Sequence, residues 1–245
     1  MSTKKISKFT IAVIFIIFLI IYYYFDLETD TDIKIFLTIS TFLFSIFAGF
    51  FISRQNKRYS DLRSQISNFD GGLSAIYRTS GHLGKQSQKE IGKILKNHYR
   101  PILENKKWDY YFTHKTSTLT SIHNVFEKNI GKAQLTSLPN TALNRIVASL
   151  QEIQKTRKSL ITLHREKIPN FQWTLLGLLT IILLIALSGI NSQFLLIPAL
   201  TKAIFASSLI AVLFILYQLD KLVFFKGMIG EKSAQDVIDI IDDKK

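Results

Sequence analysis

The chain has 245 residues, 47% of them hydrophobic, and a formal net charge of +13. An apolar share of that size with a positive mean hydropathy exceeds what an ordinary soluble domain carries and points to the membrane class. Cysteine is absent, so no disulfide framework exists and the redox compartment is left open.

Taken in chain order, four stretches approach the roughly 20 apolar residues needed to cross a hydrocarbon core of about 30 Å. They are Phe9 to Phe25, Ile33 to Ile52, Phe171 to Ile190 and about Ala199 to Leu219. The first has a basic start, like a secretory signal. Its apolar run is long for a signal core, however, and the Asp26-Leu27-Glu28-Thr29-Asp30 that follows offers no small-residue cleavage pattern. The expectation is an all-α membrane protein: four transmembrane helices in two hairpins with a helical cytosolic insert. By residue number the division is 1–53 for the N-terminal hairpin and 54–170 for the basic cytosolic domain. The C-terminal hairpin then takes 171–219 and a cytosolic tail 220–245.

The second span predicts a helix that runs on unbroken into Arg54 to Tyr77, because no Gly or Pro falls between Phe50 and Phe69. A turn is expected around Gly81 to Gly84. Gln86 to Tyr99 carries Ile91, Ile94 and Leu95 at helical spacing, with Pro101 expected to close that helix. Asn105 to Lys132 reads as one or two further helices. Pro139 suits a first helical position, and a long helix follows from Thr141 to about Lys167, apolar at Leu143, Ile146, Leu150, Ile153 and Leu160. Pro169 separates it from the third span.

Orientation follows from where Lys and Arg fall in the short flanks. Lys4, Lys5 and Lys8 precede the first span, Arg54, Lys57, Arg58 and Arg63 follow the second, Arg165 and Lys167 precede the third, and Lys221 and Lys226 follow the fourth. Residues 26–32 hold four acids and no base, and residues 191–198 no charge at all. Both termini and the insert are therefore expected in the cytosol of a multi-pass protein of the cell (inner) membrane. Residues 53–170 contain 21 Lys and Arg against 8 Asp and Glu, which accounts for the whole net charge. Such a face suits anionic lipid or small anions. No module for nucleic acid is present, so no such partner is expected.

The chemistry of enzymes is not written in the chain. His82, His98, His114, His123 and His164 form no i, i+4 pair with one another and no metal-ligand arrangement with a carboxylate, so no metal site is expected. Gly71-Gly72 and the Gly81 to Gly84 segment read as turns rather than a phosphate loop, and there is no hydrolase elbow or cysteine nucleophile. No cofactor is expected. Within the spans only Lys34 and Lys202 are charged, both near the outer ends. They read as lysines that snorkel to the headgroups, or as an outer pore mouth that favours anions.

The second span has large apolar residues on successive turns, Ile39, Leu43 and Phe47, with Phe50 one short turn on. Such a face contacts lipid or a neighbouring helix, or, repeated around an oligomer, forms a hydrophobic constriction. Beyond it come Gly49-Phe50-Phe51 and then Arg58-Tyr59-Ser60-Asp61-Leu62-Arg63. This resembles the bestrophin channel family, in which a Gly-Phe-Arg end to the second span is followed at the same distance by an Arg-Trp-Trp-Glu-x-Arg segment. Arg58, Asp61 and Arg63 match its charged positions, while Tyr59 and Ser60 stand for the tryptophans and Phe51 for the first arginine. The resemblance extends to the topology. It implies a homo-oligomer, a pentamer, whose second helices line a path for small ions, often anions, with the neck at Ile39, Leu43 and Phe47. The family's acidic Asp-Pro-Phe segment has no counterpart after Leu219, so calcium regulation is not implied. Asp236, Asp239, Asp242 and Asp243 read as a solvated helix end. A non-conducting membrane-anchored scaffold or sensor, docking a partner or anionic lipid through the basic domain, is the alternative.

Overall fold

A computed structural model of the chain describes residues 8–24, 32–114, 116–130, 137–190, 195–223 and 230–243. Among these, regular structure is helical throughout: α1 (Lys8–Tyr24), α2 (Asp32–Ser80), a 3-10 turn (Gly81–Leu83), α3 (Lys85–Asn105), α4 (Tyr110–Thr113), α5 (Thr118–Ile130), α6 (Ser137–Arg165), α7 (Asn170–Ser188), α8 (Leu196–Asp220) and α9 (Gly230–Ile241). The chain divides into two compact units, Met1–Lys57 with Lys167–Val223, and Arg58–Glu166 with Phe224–Lys245. Helix α2 belongs to both.

In the first unit, α2, α7 and α8 supply the segments that are long and apolar enough to cross a membrane, whereas α1 is a shorter apolar helix of 17 residues. At 1.5 Å per residue α1 extends about 25 Å. Phe44, Ala48 and Phe51 of α2 pack with Leu176, Leu179 and Leu183 of α7 and with Leu209 and Leu216 of α8. The main partner of α1 is α8 rather than its sequence neighbour α2. The reason lies on α8: Ala199, Ala203 and Ala206 recur on one face and are fully buried. Side chains this small let two helices approach closely, and close approach is what holds apolar helices together in lipid. Tyr22 packs into the same seam with Leu187. Asp220 at the end of α8 accepts a 2.8 Å hydrogen bond from the Ile168 N–H just before α7.

The second unit is built on the lower part of α2, where Leu62, Ile66, Phe69, Leu73 and Ile76 are buried. Their alternating spacing of four and three puts them on one stripe, the pattern of a helix that packs along its length. Ile91, Leu95 and Tyr99 of α3, Ile122 and Phe126 of α5, and Ile146, Ile153 and Leu160 of α6 are buried in the same unit.

Three local expectations are corrected. Gly71 and Gly72 are not a turn but lie inside α2. A Cβ on Gly72 would fall 2.7 Å from Cγ1 of Ile153, so the missing side chain is what lets α6 come close. Pro101 does not close α3, which continues to Asn105. Proline cannot satisfy the carbonyl four residues back, and that carbonyl, on Asn97, instead accepts a 3.1 Å hydrogen bond from the Tyr111 hydroxyl. The acidic tail is not merely a solvated helix end. Helix α9 packs on α3 with Ala234 and Val237 buried, and Asp242 pairs with Lys96 of α3.

Candidate functional site

Helix α2 carries every residue of the expected constriction and stalk, so its faces decide what the site can be. Phe44, Ala48 and Phe51 form its buried face. Turned away from that face, Ile39 is 54% exposed, Leu43 39% and Phe50 59%, and Ile35, Phe36 and Ile46 extend the same uncovered stripe. Phe47 lies at the edge of the stripe: half-buried, it packs on the α2–α7–α8 core and stacks on Phe51 with ring centroids 6.4 Å apart. The chain thus folds with an apolar ridge of α2 left without a cover of its own.

Of the three stalk residues, Arg58 is deeply buried, at 3% exposure, while Asp61 is half-buried and Arg63 exposed. The Arg58 Nε donates to the Leu163 carbonyl at 2.7 Å, and its Nη2 to the His164 carbonyl at 2.9 Å. Both acceptors lie in the last turn of α6, where carbonyls have no partner within the helix and where the helix dipole is negative. Arg58 therefore caps α6 with a charged fork that suits two parallel acceptors.

The same helix end gathers groups that spacing along the sequence does not reveal. The His164 Nε2 lies 3.1 Å from Oδ2 of Asp109, and that bond chiefly holds the Asp109 carboxyl below its usual range. Trp108 sets its ring edge-on to His164. A Cβ on Gly230, the first residue of α9, would collide with Trp108, so the start of α9 requires glycine there. Further along α2, Asp70 accepts hydrogen bonds from the Tyr99 hydroxyl at 2.6 Å and from the Ser233 hydroxyl of α9. Burial pushes its pKa up to about 6, the two hydroxyls opposing the rise and Asp236 adding to it. His98 is buried against Tyr111 and bonded to Thr118, and burial, with Arg157 nearby, pushes its pKa down to about 3. A buried neutral imidazole of this kind is a packing element. Among the described residues no group of three or more His, Asp or Glu is placed to hold a metal ion.

The two lysines expected at an outer mouth differ. Lys34 is exposed. Lys202 is 3% exposed, with its Nζ 5.5 Å from the centre of the Tyr22 ring. The snorkelling expected of Lys202 is thus replaced by burial in the α1–α8 seam, where the Tyr22 face attracts the cation.

A family model described as the Bestrophin-like domain matches residues 6–222. The chain belongs to the bestrophin-like family. The match takes in α1 to α8 and ends before α9, so the helix docked through Gly230, Ser233 and Asp242 lies outside the matched region. With three helices among the described residues long and apolar enough to cross a membrane, this bestrophin-like chain is a multi-pass membrane protein. No curated protein and no solved structure matches it.

Proposed function

We propose that the protein is an oligomeric passive ion channel for chloride or other small anions, with α2 lining the pathway. The supporting observation is the uncovered apolar ridge of α2. Ile39, Leu43 and Phe50 are exposed in the single chain, while Phe44, Ala48 and Phe51 of the same helix are buried. A ring of such ridges around an axis, a pentamer by family resemblance, covers them and leaves a narrow apolar constriction formed by Ile39, Leu43, Phe47 and Phe50, which gates by dewetting. Family membership supports the same reading. On this account α1 joins α2, α7 and α8 as a fourth span, 1–53 and 171–219 are the membrane hairpins, and both termini lie in the cytosol. The 54–170 domain forms a basic vestibule that concentrates anions. Arg58 fixes the register of α2 against α6, Asp61 and Arg63 face the vestibule, and Lys34 lies toward the outer mouth, while Lys202 stays in the α1–α8 seam.

Chloride efflux from liposomes with the purified protein tests this, together with the mass of the detergent-solubilised complex. The proposal expects a closed oligomer, efflux above that of protein-free vesicles, and larger efflux from Phe47→Ala. A monomer or dimer without efflux favours instead a membrane-anchored scaffold that docks partners or anionic lipid through its basic domain.

A further inference from the structure

A cavity of about 800 Å³ lies between α2, α7 and α8. Leu37, Thr41 and Phe42 of α2, Leu187 of α7, and Lys202 and Phe205 of α8 line it. It is open to the outside, where Phe42 and Ile197 stay exposed. Thr38, Ser45 and Thr201 also reach it; the Thr38 and Thr201 hydroxyls donate to the Lys34 and Ile197 carbonyls of their own helices, so the walls are mainly hydrocarbon, with the small hydroxyl side chains of Thr41 and Ser45 among them. Among the described lining residues Lys202 alone is charged.

We infer that this cavity binds an anionic phospholipid of the bilayer, an acyl chain filling the apolar part and the headgroup phosphate meeting Lys202. The volume falls in the range of small-molecule sites, roughly 300–1,000 Å³, and the pattern of apolar walls with one convergent charge is what such sites use to orient a ligand. Lys202 is six residues into α8, about 9 Å along its axis at 1.5 Å per residue, so it lies near the end of the apolar segment. An ammonium has three donor hydrogens, so a phosphate oxygen adds to the contacts Lys202 already has within the chain. At 3.6 residues per turn, Leu37 and Thr41 lie about 120–180° around α2 from Leu43 and Phe50. The lipid therefore packs against the back of the helix whose front forms the exposed ridge, and its presence supports the position of α2.

The test uses the full-length protein, stripped of lipid in detergent and titrated with fluorescently labelled phosphatidylglycerol or phosphatidylcholine. Wild type is expected to bind the anionic lipid about tenfold more tightly, the value of one charge-assisted hydrogen bond. Lys202→Gln should remove that preference and Lys202→Arg keep it. Thr41→Trp, which fills the cavity and leaves Lys202 in place, should weaken both lipids. Equal binding of the two lipids by wild type overturns the inference. So does undiminished binding by Thr41→Trp, or a Thr41→Trp variant whose complex changes mass while its lipid binding does not, which assigns the cavity to a second copy. Displacement of the labelled phospholipid by equimolar palmitate also overturns it, in favour of a free fatty acid. None of these readouts depends on ion flux.

Discussion

Replacing Arg58 with methionine tests the structural core of the site, because length and apolar packing are kept and only the charged fork is lost. Two hydrogen bonds from a charged donor go to the Leu163 and His164 carbonyls. Bonds to charged groups contribute about 1.5–3 kcal/mol each. Since Arg58 is 3% exposed, water does not readily replace the donor, and the total cost should be about 3–5 kcal/mol. For a chain of this size about 1 kcal/mol lowers the midpoint by roughly 2–4 °C. Thermal unfolding in detergent, followed by circular dichroism at 222 nm, should therefore show Arg58→Met melting roughly 6–20 °C below wild type. Arg58→Lys should fall between them, since a point charge cannot serve both carbonyls in the geometry of the fork. Arg63→Met, at an exposed position, should stay within about 0.5 kcal/mol of wild type. A midpoint for Arg58→Met within 2 °C of wild type, or an equal loss from Arg63→Met, would refute the capping role.

Asp70 makes stability depend on pH. Its folded pKa is pushed up to about 6, above an ordinary value near 3.9, so between these pH values the folded chain retains a proton that the unfolded chain has released. Stability is then greatest below about pH 4 and declines as pH rises to about 6; unfolding measured across that window should show the decline in wild type and not in Asp70→Asn. Gly72→Val should destabilise the chain by about 1–3 kcal/mol through overpacking against Ile153. Gly71→Ala, where an added Cβ meets open space, should stabilise it by about 0.5–1 kcal/mol. Chemical denaturation of both variants checks the two signs.

Helical periodicity made most of the fold legible. The first part of the 49-residue α2 follows from an apolar run that passes, with no Gly or Pro between Phe50 and Phe69, into the Leu62, Ile66 and Phe69 stripe. Local punctuation misled where a distant residue supplies what the local rule lacks: Tyr111 takes over the carbonyl that Pro101 leaves, and Ile153 occupies the space that Gly72 opens. The ridge residues Ile39, Leu43 and Phe50 were legible as a face. The core-ward turn of Phe47 was not, because a spacing of four drifts around a helix that repeats every 3.6 residues. Arg58 was found by resemblance, but its acceptors are backbone carbonyls about 105 positions away, and backbone carries no sequence signal. Asp70 with Ser233, 163 positions apart, and Asp109 with His164, 55 apart, are likewise meetings that only the tertiary fold produces. Lys202 was read from its depth alone; the Tyr22 ring that holds it lies on a helix at the other end of the chain.

The chain has no cysteine, so a single introduced thiol reports on one position without background. Chloride efflux from liposomes with Ile39→Cys, measured before and after a charged, membrane-impermeant thiol reagent, tests most directly that α2 lines an ion pathway. The account predicts that modification at this position sharply reduces efflux, while Leu178→Cys on the exposed face of α7 is unaffected. Efflux no greater than from protein-free vesicles, or efflux unchanged after Ile39→Cys has been modified, would contradict it.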